Sequence, residues 1–162
     1  MEDTMDILNI FKNEVFIVAL AAGLVAQFIK MVIHVIVNKQ FSLERLTGDG
    51  GMPSGHSATV TAAALMVGIL EGFASPVFGL ALIFAIVVMR DAAGVRYETG
   101  KHANRIMEIV ELVNQCVDYM AEFNHKLRAE KLKTLVGHTK LQVFFGAVTG
   151  VCVVLFYLWI QH

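Results

Sequence analysis

The sequence contains little charge for its length, and it contains few cysteines. Only 17% of its 162 residues are charged, whereas a soluble domain has about 25%. The net charge of −1 gives no overall basicity of the kind that indicates a nucleic-acid partner. The two cysteines, Cys116 and Cys152, form neither a disulfide framework nor a metal-binding spacing. We also find no metal-ligand cluster and no nucleotide-binding loop, so the sequence predicts no metal, cofactor or nucleic-acid partner.

Apolar residues, in contrast, make up 56% of the chain and give a mean hydropathy of +0.63. They form four runs, near residues 15–37, 56–71, 73–90 and 140–160. About 20 apolar residues in a helix cross a bilayer, so the first and last runs are long enough and the second is short. Because lipid excludes open sheet edges, we predict an all-α integral membrane protein. We expect a single domain, residues 1–162, with about four transmembrane helices.

The basic residues are unevenly distributed between the two ends of these predicted spans. Four spans place residues 38–55 and 90–140 on one side and both termini on the other. Of the 13 Lys and Arg residues, 11 fall in those two segments, and the opposite side is acidic. The positive-inside rule then predicts a plasma-membrane protein with cytoplasmic charged loops and both termini outside. The acidic N-terminus is unlike the basic start of a secretory signal, so the first run is expected to remain as a span.

Residues 98–131 alternate between polar and apolar positions with helical spacing. Ile106, Val110, Val113 and Val117 recur every three or four residues, and acidic residues occupy the other side. This pattern predicts a long amphipathic cytoplasmic helix that lies against the membrane, the rest of the protein or a partner chain. A packing helix is the preferred interpretation, and a structural subunit that docks a partner is an alternative. A homo-oligomer is also compatible with so small a bundle, although no motif indicates one.

Four polar features are expected to meet on the charged side, because each lies near the end of a predicted span: Lys30, residues 50–57, residues 91–101 and residues 137–139. The segment PSGHS at residues 53–57 is the most informative. Glycine and serine at a helix entrance let backbone N–H groups point at an anion, and the helix dipole favours negative charge there. His56 can exchange a proton with a bound phosphate oxygen. The alternative is a simple N-cap, in which Ser54 or Ser57 begins a helix.

These motifs resemble those of a known superfamily. MPSGHSA, at residues 52–58, resembles the second signature of the type 2 phosphatidic acid phosphatases, which include lipid phosphatases and vanadium haloperoxidases. Residues 137–139 (GHT), with glycines at 146 and 150, are similar to the end of the third signature. Together with RDAAGVR at residues 90–96, they resemble a divergent branch of small membrane proteins over roughly residues 15–160.

The resemblance implies a membrane-embedded, metal-independent phosphatase that hydrolyses a lipid phosphate or pyrophosphate through a phosphohistidine. It gives the role of nucleophile to His138 and that of acid to His56. Lys and Arg side chains and backbone groups would hold the phosphate and stabilise its charge. The candidates for phosphate binding are Lys30, Ser54, Gly55, Arg96, Lys101 and Arg45, and the candidates for orienting roles are Asp91 and Gln142.

The sequence departs from the superfamily pattern at several positions. Gln142 stands where an acid is expected four residues after the nucleophile, Leu132 replaces an arginine, and no Arg-Pro pair follows Lys30. These departures favour an alternative function, a non-catalytic membrane protein that binds or transports a phospholipid. The spacing of Arg96 and His102 offers a rival nucleophile, but neither an acid nor a glycine-spaced span follows His102. A haloperoxidase is not expected, because those relatives are soluble.

Overall fold

The computed structural model describes residues 7–39, 51–119 and 137–161, and within these ranges the chain is helical without a β-strand. A short 3₁₀ helix precedes five α-helices. Their bounds are Ile7–Lys12 for the 3₁₀ helix, then α1 Glu14–Asn38, α2 Gly55–Glu71, α3 Pro76–Ala93, α4 Val95–Tyr119 and α5 Lys140–Gln161. Three stretches of the described chain are long and apolar enough to cross a membrane, namely Glu14–Val37, Pro76–Gln115 and Lys140–Gln161. The predicted all-α fold class is therefore confirmed.

The four predicted spans correspond to α1, α2, α3 and α5. α3 begins three residues later than predicted, at Pro76, because the Ser75 hydroxyl accepts a hydrogen bond from the Phe78 backbone N–H at 3.1 Å and caps the helix. Proline suits the first helical position, where its missing N–H needs no partner. α2 has 17 residues and is about 25 Å long, slightly less than the hydrocarbon core. A count of four spans therefore stays a prediction.

α2 is the central helix of the described bundle. It packs against α1, α3 and α5. Ala58 and Ala62 on α2 are fully buried in one cluster with Ala22 and Ala26 on α1. Side chains this small let helix backbones approach closely, which stabilises helix pairs inside a membrane, where the hydrophobic effect between helices is weak.

Two glycines allow α5 to pack closely against α2. A Cβ atom added to Gly146 would overlap the Ser54 carbonyl oxygen, and one added to Gly150 would lie 2.5 Å from the Ala58 carbonyl oxygen. Any larger residue would push the two helices apart. The spacing of four residues places both glycines on the same face of α5, as in other close membrane helix pairs.

α4 follows α3 with only Gly94 between them, and among the described helices it contacts α3 alone. The predicted amphipathic segment is helical over residues 98–119, whereas its remainder, residues 120–131, lies outside the described residues. Its apolar residues Ile106 and Ile109 are 50% and 59% exposed. The helix therefore leaves an apolar stripe uncovered by the described bundle, and its cytoplasmic location stays a prediction.

Candidate active site

Helix ends from α2, α3 and α5 meet at one end of the bundle through backbone hydrogen bonds. The Ser54 N–H, just before α2, donates to the Gln142 carbonyl oxygen in the first turn of α5 at 3.0 Å. The His138 N–H, just before α5, donates to the Ala92 carbonyl oxygen at the end of α3 at 2.9 Å. The two segments that carry the histidine motifs are thus fixed to each other and to α3, in agreement with the expected convergence.

Lys30 of α1 lies at the same end, with its aliphatic stem packed against Gly51. Only 6% of Lys30 is exposed. A Cβ added to Gly51 would lie 3.2 Å from Lys30 Cδ and 3.3 Å from Cγ, and Gly51 has a φ of +107° that favours glycine. A lysine in a spanning helix is costly unless its stem is covered and its ammonium reaches polar surroundings. Gly51 therefore provides both the turn before α2 and the space for the lysine stem.

A cleft of about 330 Å³ lies between α1 and α2 and reaches this end of the bundle. Its polar lining residues are Gln27, Lys30, Gly55, His56, Thr59 and His138. The rings of His56 and His138 are 6.1 Å apart between centroids and inclined by 62°. The structure therefore places both predicted catalytic histidines and the predicted lysine around one cavity.

His138 is held in a defined orientation by Gln142. The ring Nδ1 lies 3.4 Å from Gln142 Oε1, and His138 is only 1% exposed. The same Oε1 accepts the Thr139 backbone N–H at 3.0 Å, while the Gln142 N–H donates to Thr139 Oγ1 at 3.3 Å. This reciprocal pair is a capping box at the start of α5.

The capping box also favours one tautomer of His138. A backbone N–H can only donate, so the Gln142 atom that faces the Thr139 N–H must be the amide oxygen. That oxygen accepts only, so a hydrogen bond between it and His138 Nδ1, 3.4 Å away, would place a proton on Nδ1. In the neutral imidazole the lone pair then lies on Nε2, the nitrogen that a nucleophilic role needs.

The N-terminus of α2 presents Gly55 and His56 to the cleft. The first-turn N–H groups of a helix have no acceptor within the helix, and together with the helix dipole they favour an anion. Ser54 is fully buried and caps α2: its hydroxyl accepts from the Ser57 N–H at 3.3 Å and from the Ser57 hydroxyl at 3.0 Å. The capping alternative is thus observed, and Ser54 is not among the residues that line the cleft.

Among the described side chains, the other residues predicted to bind phosphate or to orient the site do not line the cleft. Lys101 lies on α4 and donates to Glu98 at 2.9 Å, with 53% of its side chain exposed. Asp91 is half-buried in the last turn of α3 and does not line the cleft. Arg45 and the side chain of Arg96 lie outside the described residues. Their predicted contacts with phosphate stay predictions.

The two candidate nucleophiles occupy different environments. His138 lines the cleft beside His56, whereas His102 is exposed on α4 and does not line it. Burial against a fixed hydrogen-bond acceptor is the arrangement that orients an imidazole for chemistry. The geometry therefore favours His138 over His102.

Several residues at the site were missed by sequence reasoning. Gln27 lies three residues before Lys30, a spacing that places both on one face of α1, so its position carried a usable signal. Thr139 pairs with Gln142, which was predicted as an orienting residue, and their Thr-x-x-Gln spacing is the signature of a capping box that was also readable. Thr59 carried no such signal, because only the packing of α2 against α1 brings it to the cleft. Among the described residues, no group of three or more His, Cys, Asp or Glu is arranged to hold a metal ion.

Comparison with known proteins decides the family. The sequence matches the Divergent PAP2 family over residues 11–153, a range that contains the whole cleft. The chain belongs to this family. The resemblance to type 2 phosphatidic acid phosphatases predicted from the motifs is thereby confirmed.

A relative supports the same assignment over most of this Divergent PAP2 chain. The uncharacterized membrane protein YuiD of Bacillus subtilis (strain 168) is 38% identical over 151 residues, which cover 91% of this chain and 96% of YuiD. With three described stretches long enough to span a bilayer, the chain is a PAP2-related membrane protein. No solved structure matches it.

Proposed function

We propose that this Divergent PAP2 protein is a metal-independent phosphatase that hydrolyses a lipid phosphate or pyrophosphate through a phosphohistidine. One observation carries the proposal: His138 and His56, with ring centroids 6.1 Å apart, line the same cleft as the buried Lys30. A nucleophile, an acid and a cation around one cavity are the groups that phosphoryl transfer requires.

In the first step, His138 acts as the nucleophile. Nε2 attacks phosphorus, an N–P bond forms, and the P–O bond to the lipid breaks. Attack places positive charge on the imidazole, and the Nδ1–H···Oε1 contact with Gln142 stabilises the ring in that state and prevents rotation. The amide stabilises the imidazolium less than a carboxylate would, because it carries no net charge.

His56 transfers the protons in both steps. As the lipid oxygen leaves, His56 in its charged form donates a proton to it. A water molecule then attacks the phosphohistidine, the N–P bond breaks, and the water gives a proton to the now neutral His56. Inorganic phosphate is released and both rings regain their starting states. General acid–base catalysis of this kind contributes about 10²–10⁴-fold.

The phosphate is held by Lys30 and by the N-terminus of α2. Lys30, which is only 6% exposed, places a positive charge at the cleft, and charge interactions at a buried position are stronger than in bulk solvent. The first N–H groups of α2, at Gly55 and His56, add fixed donors without a cost of reorganisation. Arg45, Arg96 and Lys101 are further proposed contributors of positive charge.

The proposed substrate is a membrane lipid in the cytoplasmic leaflet. The site lies at the end of the bundle where α1 ends and α2 and α5 begin, and 11 of the 13 basic residues belong to the two segments on that side. From the positive-inside rule we propose that this end faces the cytoplasm, and that the membrane is the plasma membrane. A lipid headgroup reaches such a site while its tail stays in hydrocarbon.

The test is phosphate release by the purified full chain from a panel of lipid phosphates and pyrophosphates. We expect turnover that resists EDTA, is inhibited by vanadate and falls to background in His138→Ala. His56→Ala should lose about 10²–10⁴-fold in kcat. His102→Ala, which changes an exposed histidine on α4, is the matched control and should keep full activity. Unchanged turnover in His138→Ala would refute the nucleophile assignment.

A second candidate function is non-catalytic binding or transport of a phospholipid, and Gln142 is the observation that favours it. A neutral amide beside His138 is compatible with a site that binds a phosphate group without attacking it. This candidate predicts saturable binding of lipid phosphates without phosphate release. Turnover that depends on His56 would exclude it.

A further inference from the structure

The cleft continues beyond its polar end into an apolar groove. Leu20, Leu24 and Val60 line this part, together with Gly23. Leu24 and Leu20 lie six and ten residues before Lys30 on α1, so the groove extends about 9–15 Å from the lysine, past the middle of the helix towards its N-terminus. The cleft is therefore amphiphilic along its length, with Lys30 and the two histidines at one end and mainly aliphatic residues at the other, where the Thr59 hydroxyl lies against Gly23.

The groove is open on its side. Leu20 is 50% exposed and Leu24 is 62% exposed, and both belong to a helix long and apolar enough to span the bilayer. Lipid, not water, covers the outward face of such a helix at this depth. A hydrocarbon chain can thus enter the groove sideways from the bilayer without leaving it.

The floor of the groove is narrow because α1 and α2 approach closely there. A Cβ added to Gly23 would lie 2.5 Å from the Thr59 hydroxyl oxygen. The whole cleft of about 330 Å³ is at the small end of the range for ligand sites, which runs from about 300 to 1,000 Å³. Since the phosphate occupies part of this volume, the remaining space fits one chain.

We propose that this groove, formed by Leu20, Gly23, Leu24 and Val60, is a subsite for a single hydrocarbon chain of the lipid phosphate. The proposal rests on the proposed function for the identity of the headgroup, and it adds the chemistry of the tail. A free phosphate would fill only the end near Lys30 and leave the aliphatic end without a role. The occupant is therefore an amphiphile whose phosphate lies between the histidines and whose chain lies along α1.

The experiment measures binding of alkylphosphonates, whose P–C bond phosphatases of this type do not cleave. The purified full chain in one detergent is titrated with methylphosphonate and with decylphosphonate. The variants are Leu24→Trp and, as a second test of the same groove, Leu20→Trp. Leu80→Trp is the matched control, because Leu80 is 70% exposed on α3 and does not line the cleft.

We expect tighter binding of decylphosphonate than of methylphosphonate by the unaltered chain. Filling the groove with an indole should weaken decylphosphonate binding on the order of tenfold and leave methylphosphonate binding unchanged. The Leu80→Trp control should behave as the unaltered chain. Equal loss of both phosphonates in the groove variants, or no loss of either, would overturn the subsite.

This design separates the subsite from the catalytic proposal. If the unaltered chain releases phosphate but shows no chain-dependent binding, the groove assignment is wrong and the phosphatase stands. If chain-dependent binding is lost in both groove variants while no substrate is hydrolysed, the groove stands and the catalytic proposal is wrong.

Discussion

Gln142 connects two parts of the site, because its amide oxygen contacts both His138 Nδ1 and the Thr139 N–H. We predict that Gln142→Leu lowers kcat about tenfold to hundredfold, since it leaves a buried ring N–H without its acceptor at a cost of about 1–3 kcal/mol. Gln142→Glu should retain or raise kcat, because a carboxylate accepts the same hydrogen bond and stabilises the imidazolium. Steady-state phosphate release measures both. An equal kcat for the unaltered chain, Gln142→Leu and Gln142→Glu would show that the contact does not orient His138.

Thr139→Ala is the control for this pair. It removes the hydroxyl that accepts the Gln142 N–H but keeps the amide oxygen beside His138. Loss of the cap should destabilise the protein by about 1 kcal/mol, with little change in kcat. Thermal unfolding and turnover measured on the same preparation separate the two effects. A large fall in kcat would mean that the capping box, rather than the single oxygen, holds the ring.

Gly51 determines where Lys30 can lie. We predict that Gly51→Ala raises the KM for lipid phosphate or weakens phosphonate binding, because the methyl group would meet the lysine stem at about 3.2 Å. Gly72→Ala is a matched control: Gly72 also has a positive φ, +88°, but no atom lies within 4 Å of the added Cβ. Both variants should lose about 1–3 kcal/mol of stability from backbone strain. Only Gly51→Ala should change binding, and equal binding by the two variants would contradict this role.

The packing of α5 against α2 sets the distance between the two histidines, since each histidine lies at the start of one of these helices. Gly146→Ala should therefore lower both stability and kcat, because its methyl group overlaps the Ser54 carbonyl oxygen. Gly79→Ala is the control on α3, where nothing lies within 4 Å of an added Cβ. The control should be neutral, or up to about 1 kcal/mol more stable from helix propensity. Thermal unfolding together with phosphate release distinguishes the two variants.

At the scale of elements, the sequence predicted the helices well because each depends on local pattern. The apolar runs corresponded to α1, α2, α3 and α5, and the helical spacing of residues 98–119 corresponded to most of α4. The start of α3 was missed by three residues, since Phe73 continues the apolar run although Ser75 is the cap. A hydropathy profile contains no information on helix capping, whereas the capping residue sets where the helix begins.

The candidate site was predictable from the sequence where a motif indicated its residues, and was not predictable where only helix packing brings residues together. His56, His138 and Lys30 were found from the motifs and lie around one cleft. Ser54 was given a phosphate contact but is a buried cap, because a hydroxyl at a helix entrance satisfies either role and the sequence cannot distinguish them. The aliphatic wall at Leu20 and Leu24 was missed, since leucines in a span all look lipid-facing until a second helix is placed beside them.

At the scale of the whole molecule, the connections between helices favour four crossings. The end of α3 is fixed to the site through the bond from the His138 N–H to the Ala92 carbonyl oxygen. α3 belongs to a stretch of spanning length, and a crossing by this helix would place its start at Pro76 on the opposite side of the bilayer. Only residues 72–75 separate α2 from α3, which is too short to cross back. We therefore predict that α2 itself reaches that opposite side, despite its 17 residues.

Four crossings predict the sidedness of three exposed positions. Single cysteines at Lys39→Cys, Glu71→Cys and Asn104→Cys, in a chain whose Cys116 and Cys152 are changed to Ser, would be labelled with a membrane-impermeant maleimide in intact cells and in inverted vesicles. Residue 71 should react only from outside, and residues 39 and 104 only from the cytoplasmic side. If residue 71 reacts from the same side as residue 39, α2 does not cross. If all three residues react from the side opposite to the one expected, the chain still crosses four times but the histidine cleft faces the outer leaflet. The proposed lipid substrate would then be a lipid of the outer leaflet.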